Sequence, residues 1–178
     1  MKTHLGTQSS LLAAWLLLAL HYGPTAAAAE GEGFVVLPDR ASHFSGPQGR
    51  EADVTELLAT REQTGGALGL FRQTIAPKSG PPTHIHQAED EFFYVVNGEF
   101  NFKLGDRVVS APTRSIVFVP RGIAHTFQNV GTEPGMLLVG VTPGGFEKMF
   151  AERQDVDAET NRTLMKMHNM EVVGPPLQ

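Results

Sequence analysis

The sequence predicts an all-β domain, either a sandwich or a barrel, followed by short C-terminal helices. Apolar residues between positions 34 and 141 occur in short runs, which Gly, Pro and Asn separate about every ten residues. Within one run, residues 99–104 alternate strictly between apolar and polar side chains, as in a strand with one buried face. Apolar residues at helical spacing follow only after Gly145. This order is typical of antiparallel folds and disfavours βαβ repeats.

The strands can be placed in order along the chain. Residues 94–96 lead through Asn97-Gly98, a two-residue hairpin signal, into residues 99–104. Alternation puts Phe100 and Phe102 on the core face of this second strand, and Gly105-Asp106 closes the next turn. The same signals predict further strands at 68–75, 115–119, 125–129 and 136–141.

Two short helices are predicted in the segment 145–170. Phe146, Met149 and Phe150 have the spacing of one helical face. Asp157 is a suitable N-cap for a second helix over residues 158–168. The face of this helix that would pack against the barrel, or across its mouth, contains Leu164, Met167 and His168.

The C-terminal methionines admit two interpretations. Met165, Met167 and Met170 lie close to His168 and could bind a soft copper ion, but packing against the core is the more economical explanation. The tail 172–178 contains Gly-Pro-Pro and is expected to be extended.

Composition limits the possible functions. The chain has 178 residues and a formal net charge of −5, without a run of Lys or Arg, so we expect one domain and no nucleic-acid partner. It contains no Cys, which excludes disulfides, thiolate metal sites and cysteine nucleophiles. Any metal must therefore be bound by His, Met or carboxylate side chains.

The first 29 residues are typical of a secretory signal peptide. Lys2 precedes an apolar run at 11–20, followed by Gly23-Pro24 and an alanine-rich stretch that predicts cleavage near Ala29. The apolar run is about half of the roughly 20 residues that span a bilayer, so a retained membrane anchor is the weaker alternative. We expect a secreted or periplasmic protein, a single domain over 30–178, and no stable membrane insertion after cleavage.

The candidate metal ligands lie in two short segments. His84 and His86 are two residues apart, so on an extended segment both imidazoles project from the same face, as metal ligands do. Glu91 follows His86 at an odd spacing and joins them only if a turn or bulge at 87–90 re-aims it. Glu89 and Asp90 are interpreted as part of a solvated turn, and a role for Glu89 near the metal is the weaker alternative. His125 begins a strand after a Pro-x-Gly turn.

These segments resemble the two motifs of the cupin superfamily. The first motif, G-x5-H-x-H-x3,4-E-x6-G, is matched at its ligand positions and its closing glycine by His84, His86, Glu91 and Gly98. The second, G-x5-P-x-G-x2-H-x3-N, is matched by Pro120, Gly122, His125 and Asn129. Gly80 is out of register with the opening glycine of the first motif, and Arg114 replaces that of the second. The motifs span 80–129.

The resemblance implies a small jelly-roll (double-stranded β-helix) barrel with one divalent transition metal per chain. Its ligands would be His84, His86, Glu91 and His125, and the ion could be Fe, Mn, Cu, Ni, Co or Zn. The C-terminal segment resembles single-domain, quercetin-dioxygenase-like cupins, in which the carboxylate that corresponds to Glu91 also acts as a catalytic base. Members of the superfamily are commonly homodimers, so a homodimer is expected.

The inferred pocket lining favours an apolar small-molecule substrate. The residues expected to line it are Phe71, Phe93, Phe102, Phe118 and Phe127. No pair of arginines is evidently directed inward, although Arg72 could reach an anionic group from its strand. The leading hypothesis is an exported, metal-dependent, dioxygenase-like oxidoreductase that acts on a phenolic, enolic or other apolar compound. Two alternatives remain: a non-catalytic cupin that binds metal or a small ligand, and a non-redox isomerase or lyase.

Overall fold

The computed structural model describes residues 33–47 and 50–178, so the predicted signal peptide and its cleavage site lie outside the described residues. Within them the chain forms eleven strands and two helices, and the all-β prediction is confirmed. In chain order these elements are β1 (Ser42–Ser45), β2 (Val54–Ala59), β3 (Gly69–Ile75), β4 (Pro82–His86), β5 (Asp90–Asn97), β6 (Glu99–Leu104), β7 (Arg107–Pro112), β8 (Ile116–Val119), β9 (His125–Asn129), β10 (Gly135–Thr142), α1 (Lys148–Glu152), α2 (Ala158–Met167) and β11 (Met170–Pro176).

The strands form two antiparallel sheets. One has the order β1-β2-β3-β10-β5-β8 and the other the order β11-β4-β9-β6-β7. The predicted hairpin at Asn97-Gly98 is wrong, because β5 pairs with β8 and β10 whereas β6 pairs with β7 and β9. This turn instead carries the chain from one sheet to the other. Gly98 has a φ of 98°, and a Cβ there would lie 2.9 Å from the Cα of Gly135, so the corner requires glycine.

The core lies between the two sheets and is built largely from aromatic side chains on alternating strand positions. The residues of this aromatic core with at most 3% exposure are Phe71, Phe93, Phe100, Phe102 and Phe127. Burying a side chain of this size contributes about 1.5–3 kcal/mol to stability. Phe118, in contrast, is 58% exposed. The prediction that it lines the interior is wrong, because alternation along β8 turns Val117 and Val119 inward.

The C-terminal helices end in a strand that joins the second sheet. Asp157 caps α2 as predicted, its carboxylate accepting a hydrogen bond from the Thr160 amide at 2.7 Å. Met167 is 70% exposed, whereas Met165 is buried. The predicted packing face is therefore wrong for Met167, because the inward face contains Leu164, Met165 and His168.

The extended tail is part of the fold. β11 pairs with β4, and Met170 lies opposite His86 in this register. Among the described residues, no helix has the length and apolar character needed to cross a membrane.

Candidate metal centre

Three strands bring the four predicted ligands together. His84 and His86 lie on β4, His125 opens β9, and His84 and His125 are direct cross-strand partners. Glu91 lies on β5 in the other sheet. The chain passes between the sheets at residues 87–89, which is the re-aiming break that the odd spacing requires. One ligand atom from each of the four residues lies within 4.8 Å of the others.

The loops next to the ligands are fixed by hydrogen bonds. The amide of Gly122 donates to the carbonyl of His86 at 2.8 Å, which ties the Pro-x-Gly turn to β4. Asp90 accepts hydrogen bonds from the backbone and guanidinium of Arg121 at 2.9–3.0 Å. A Cβ on Gly80 would lie 1.9 Å from the carbonyl oxygen of Phe127, so glycine lets the start of β4 approach β9 closely.

Backbone carbonyls orient two of the imidazoles. Nδ1 of His84 lies 2.9 Å from the carbonyl of Pro82, and Nδ1 of His125 lies 2.9 Å from that of Ile123. When each Nδ1–H donates to its carbonyl, Nε2 is the atom left for a metal. Nε2 of His125 is 2.8 Å from the Glu91 carboxylate.

His86 is held differently from the other two histidines. Both of its ring nitrogens are buried without a hydrogen-bond partner. Nε2 lies 3.5 Å from the Glu91 carboxylate, and Nδ1 lies 3.8 Å from Oε2 of Glu89, itself buried and unpartnered. The interpretation of Glu89 as solvated is therefore wrong. A buried imidazole without partners is costly in an aromatic core, and a metal ion at Nε2 with Glu89 at Nδ1 would satisfy both nitrogens.

The protonation states suit a divalent ion. Burial, together with the nearby histidines, lowers the pKa of His84 to about 3, and burial also lowers the pKa of His86. Burial alone would raise the pKa of Glu91, but the charge of His86 and the hydrogen bond from His125 outweigh it and bring that pKa to about 2. Burial lowers the pKa of His125, but its hydrogen bond to Glu91 and the charge of that carboxylate outweigh burial and raise this pKa, so a metal must displace a proton there. Neutral imidazoles and an ionised carboxylate are the forms that bind metal. The four residues therefore fit a divalent transition metal.

A cavity of about 50 Å³ adjoins the ligands. Its lining comprises Arg50, Phe71, Gln73, Pro81, His84, His86, Glu91, Phe93, Phe127, Phe146, Met149, Phe150, Arg153 and Met170. Of the predicted substrate-binding residues, Phe71, Phe93 and Phe127 border this cavity, Phe102 lies in the core away from it, and Phe118 lies on the outer surface. Since about 10–15 Å³ of such space holds one water, the cavity accommodates only a few heavy atoms.

The segment from Gly144 to Arg153 closes the cavity. The ring of Phe146 packs edge-on against His86 with centroids 4.3 Å apart, and Phe150 packs on Phe71 at 4.9 Å. The fully buried carboxylate of Glu147 fixes this segment by accepting hydrogen bonds from the amides of Arg61 and Gly145. The spacing of the phenylalanines predicts the helix, but nothing local to the sequence shows that they cover the ligands.

Arginines also border the site, which corrects the expectation that none is directed inward. Arg50 and Arg153 both line the cavity. Arg72, the one arginine considered as an anion ligand, instead forms a bidentate ion pair with Glu56 at 2.5 Å and does not line it.

Comparison with known proteins agrees with this site. The family model described as "Cupin domain" matches residues 71–141. The oxalate-binding protein of Thermotoga maritima is 29% identical over 107 residues, covering 57% of this chain and 88% of that protein. The tetracenomycin polyketide synthase protein TcmJ of Streptomyces glaucescens is 26% identical over 121 residues, covering 67% and 81%.

A solved structure shows the same fold. The structure of KdgF from Halomonas sp. superposes with a TM-score of 0.58 at 14% identity, covering 66% of this chain and 99% of that one. The matched region 71–141 contains both histidine segments and all four clustered side chains. The two-sheet barrel, the buried ligand set and the family match together show that the chain belongs to the cupin superfamily.

Proposed function

We propose that the protein is an exported, metal-dependent oxidoreductase of the dioxygenase type that acts on a small enolic or phenolic compound. The observation that carries the proposal is the convergence of three histidines and Glu91 on a small cavity lined by five phenylalanines. Four protein ligands leave one or two positions of a five- or six-coordinate ion open. A redox-active divalent metal bound there would supply Lewis acidity and a means of activating oxygen.

Glu91 is the carboxylate suited to accept a substrate proton. It is buried, borders the cavity, and already shares a hydrogen bond with His125 at 2.8 Å. With a metal at Nε2 of His125, the transferred hydroxyl proton would stay on the Glu91 carboxylate. The aromatic walls would exclude water while the segment from Gly144 to Arg153 covers the opening.

The relatives support a small oxygen-rich substrate. One relative is named as a tetracenomycin polyketide synthase protein and another as an oxalate-binding protein, and both polyketides and oxalate are rich in oxygen. The cavity of about 50 Å³ favours a molecule of a few heavy atoms, and a larger phenolic compound would require Phe146 and Phe150 to move.

The test combines metal analysis with oxygen uptake. Purified protein is reconstituted separately with Fe, Mn, Cu, Ni, Co and Zn, its metal content is measured, and oxygen consumption is followed with small diketones, catechols and flavonols. Uptake that depends on substrate and on a redox-active metal supports the proposal. Glu91→Gln should retain part of the metal and lose turnover, whereas the same change at exposed Glu99 should alter neither. Unchanged turnover in Glu91→Gln would exclude the base role.

A second candidate is a non-catalytic protein that binds a small anion at the same metal. The small cavity and its two arginines favour it. It predicts stoichiometric metal and tight ligand binding with no oxygen uptake for any metal. Turnover without oxygen, with Zn as an adequate metal, would instead identify an isomerase or lyase.

We also propose that the protein is a homodimer. The outer face of β5 and β8 exposes Tyr94, Ile116 and Phe118, of which Tyr94 and Ile116 are cross-strand partners. β8 is also the edge strand of its sheet. An apolar edge of this kind is commonly covered by a second subunit. Light scattering should give twice the chain mass, and Phe118→Ser should shift the protein toward monomer. A wild-type monomer would exclude the dimer.

Export is proposed from the first 29 residues alone. When the full sequence is expressed in a bacterial host with a functional secretion pathway, the exported fraction should contain chains that begin near Glu30. Intact chains confined to the cytoplasm would argue against this proposal.

A further inference from the structure

Arg153 is a partly buried cation on the wall of the metal-site cavity. It is the residue that ends α1, and its guanidinium carbon lies 4.6 Å from the centroid of the Phe150 ring. Its Nε is enclosed by the protein and makes no hydrogen bond. A buried guanidinium donor without an acceptor is unfavourable, so this position calls for a partner that the described residues do not provide.

The other arginine of the cavity is already neutralised. Nε of Arg50 lies 2.8 Å from the Asp53 carboxylate, which also accepts hydrogen bonds from Ser79 and from the amide of Ala76. Arg153 feels the charge of Asp53 but makes no hydrogen bond to it among the described residues. Burial, and then the charge of Arg50, lowers the pKa of Arg153 to about 10, so the side chain still carries its charge at neutral pH. Its positive charge is therefore available to a ligand.

We infer that Arg153 binds the carboxylate of a short carboxylic acid whose other oxygen group faces the metal ligands. This inference rests on the metal site of the proposed function, and it names the substrate class of that site. Arg153, His86 and Glu91 line one cavity of about 50 Å³, so a single molecule of a few heavy atoms can contact both ends.

The chemistry of the wall suits a carboxylate. A guanidinium presents parallel N–H donors that match the two oxygens of a carboxylate. Gln73 also borders the cavity, and its amide nitrogen already donates one hydrogen bond to the Thr55 hydroxyl at 3.2 Å. With a dication at the four ligands, Glu91 is the one carboxylate among them, and a second negative group on the ligand would add to the charge balance, so a dicarboxylate or the enolate of a keto acid is favoured.

The inference is tested by equilibrium binding to the full protein loaded with Zn, which prevents redox turnover. Calorimetry compares oxalate and malonate with oxamide, an uncharged analogue of oxalate. We expect both dianions to bind and oxamide to bind at least 10-fold more weakly. Arg153→Gln should weaken dianion binding about 10- to 100-fold with unchanged Zn affinity. Arg153→Lys should recover part of it, and Arg107→Gln, which removes an exposed arginine outside the cavity, should have no effect.

The outcomes separate this inference from the proposed function. Equal dianion affinity for wild type and Arg153→Gln, or preference for oxamide, would overturn it, even if oxygen uptake with neutral phenols upheld the oxidoreductase. Conversely, Arg153-dependent dianion binding without oxygen uptake would support it and exclude the oxidoreductase. If Arg153 only packs on Phe150, Arg153→Gln lowers the melting temperature without changing dianion affinity, which also overturns the inference.

Discussion

The surroundings of the two ends of β9 differ in how their buried polar side chains find hydrogen-bond partners. His125 and Asn129 are both fully buried and belong to the same sequence motif. The amide of Asn129 donates to the carbonyls of Ile75 and Glu133 at 2.9 Å, and its oxygen accepts from the Gly131 amide at 3.0 Å. Around His125, in contrast, ring nitrogens of His86 and an oxygen of Glu89 have no partner.

This difference separates structural from functional polar residues. Every donor of the Asn129 amide is bound within the protein, so the residue fastens the loop after β9 to the rest of the barrel. Near the His125 end of the strand, both ring nitrogens of His86 are buried without hydrogen bonds, which is energetically unfavourable. A bound ligand such as a metal ion would supply the partner that these buried atoms lack. Mutations at the two ends should therefore have different effects on metal content and on stability.

The largest effect is expected at the ligand end. His86→Ala should reduce bound metal from one ion per chain to none, because three remaining ligands bind a divalent ion much more weakly. The metal-free protein should stay folded, since the removed ring makes no hydrogen bond. Elemental analysis and circular dichroism measure the two properties. His43→Ala removes an exposed imidazole from β1 and is the control. Full metal content in His86→Ala would refute the four-ligand assignment.

The opposite result is expected at the other end of β9. Asn129→Ala leaves two carbonyls and one amide without their partner and should lower the free energy of unfolding by about 3 kcal/mol. The folded fraction should still bind one metal per chain. Urea denaturation measures the loss, and Gln128→Ala, which removes one 3.3 Å surface hydrogen bond, serves for comparison. If Asn129→Ala instead lost metal and kept its stability, Asn129 would contribute to the metal site and not mainly to the fold.

Substitution of Glu89 should have an effect of intermediate size on metal affinity. Its carboxylate lies 3.8 Å from Nδ1 of His86, and a small shift would orient this imidazole toward the metal. Glu89→Ala should therefore weaken metal binding about 10- to 100-fold. Glu89→Gln keeps an acceptor and should restore most of the affinity. Competition with a chromogenic chelator gives the dissociation constants, and equal values for all three proteins would assign Glu89 no part in the site.

The smallest effect is expected at the replaced glycine of the second motif. Arg114 has a φ of 75° in the turn that Ser115 closes by donating to Pro112, a conformation that favours glycine. Arg114→Gly should stabilise the protein by about 1 kcal/mol, and Arg114→Lys should be neutral. Thermal unfolding measures both. Destabilisation by glycine would show that the arginine side chain compensates for the strain.

The sequence predicts the ligands well because their spacing is a local property of extended segments. His84, His86 and His125 lie where alternation and the Pro-x-Gly turn direct them. The strands at 68–75, 99–104 and 125–129 are likewise local patterns. Asn97-Gly98 misleads because a turn signal fixes the bend but not the sheet that the next strand joins.

Long-range packing explains the remaining differences. Glu89 is charged and follows a turn, so its burial depends on the strands around it. Phe150 and Arg153 reach the cavity only because α1 folds across the barrel. The sequence does not reveal which way Phe118 points, because both faces of β8 carry apolar residues and no alternation identifies the inner face.

The pairing of β11 with β4 has a consequence for the order of assembly. Without β11, the strand that carries His84 and His86 is the edge of its sheet, with one row of backbone groups unpaired. The β11 residue that pairs with His86 is Met170, far later in the chain. During synthesis the two histidines are therefore made long before their strand acquires its second neighbour. A nascent chain would hold an unfinished site, and stable metal loading is expected only after translation has passed β11.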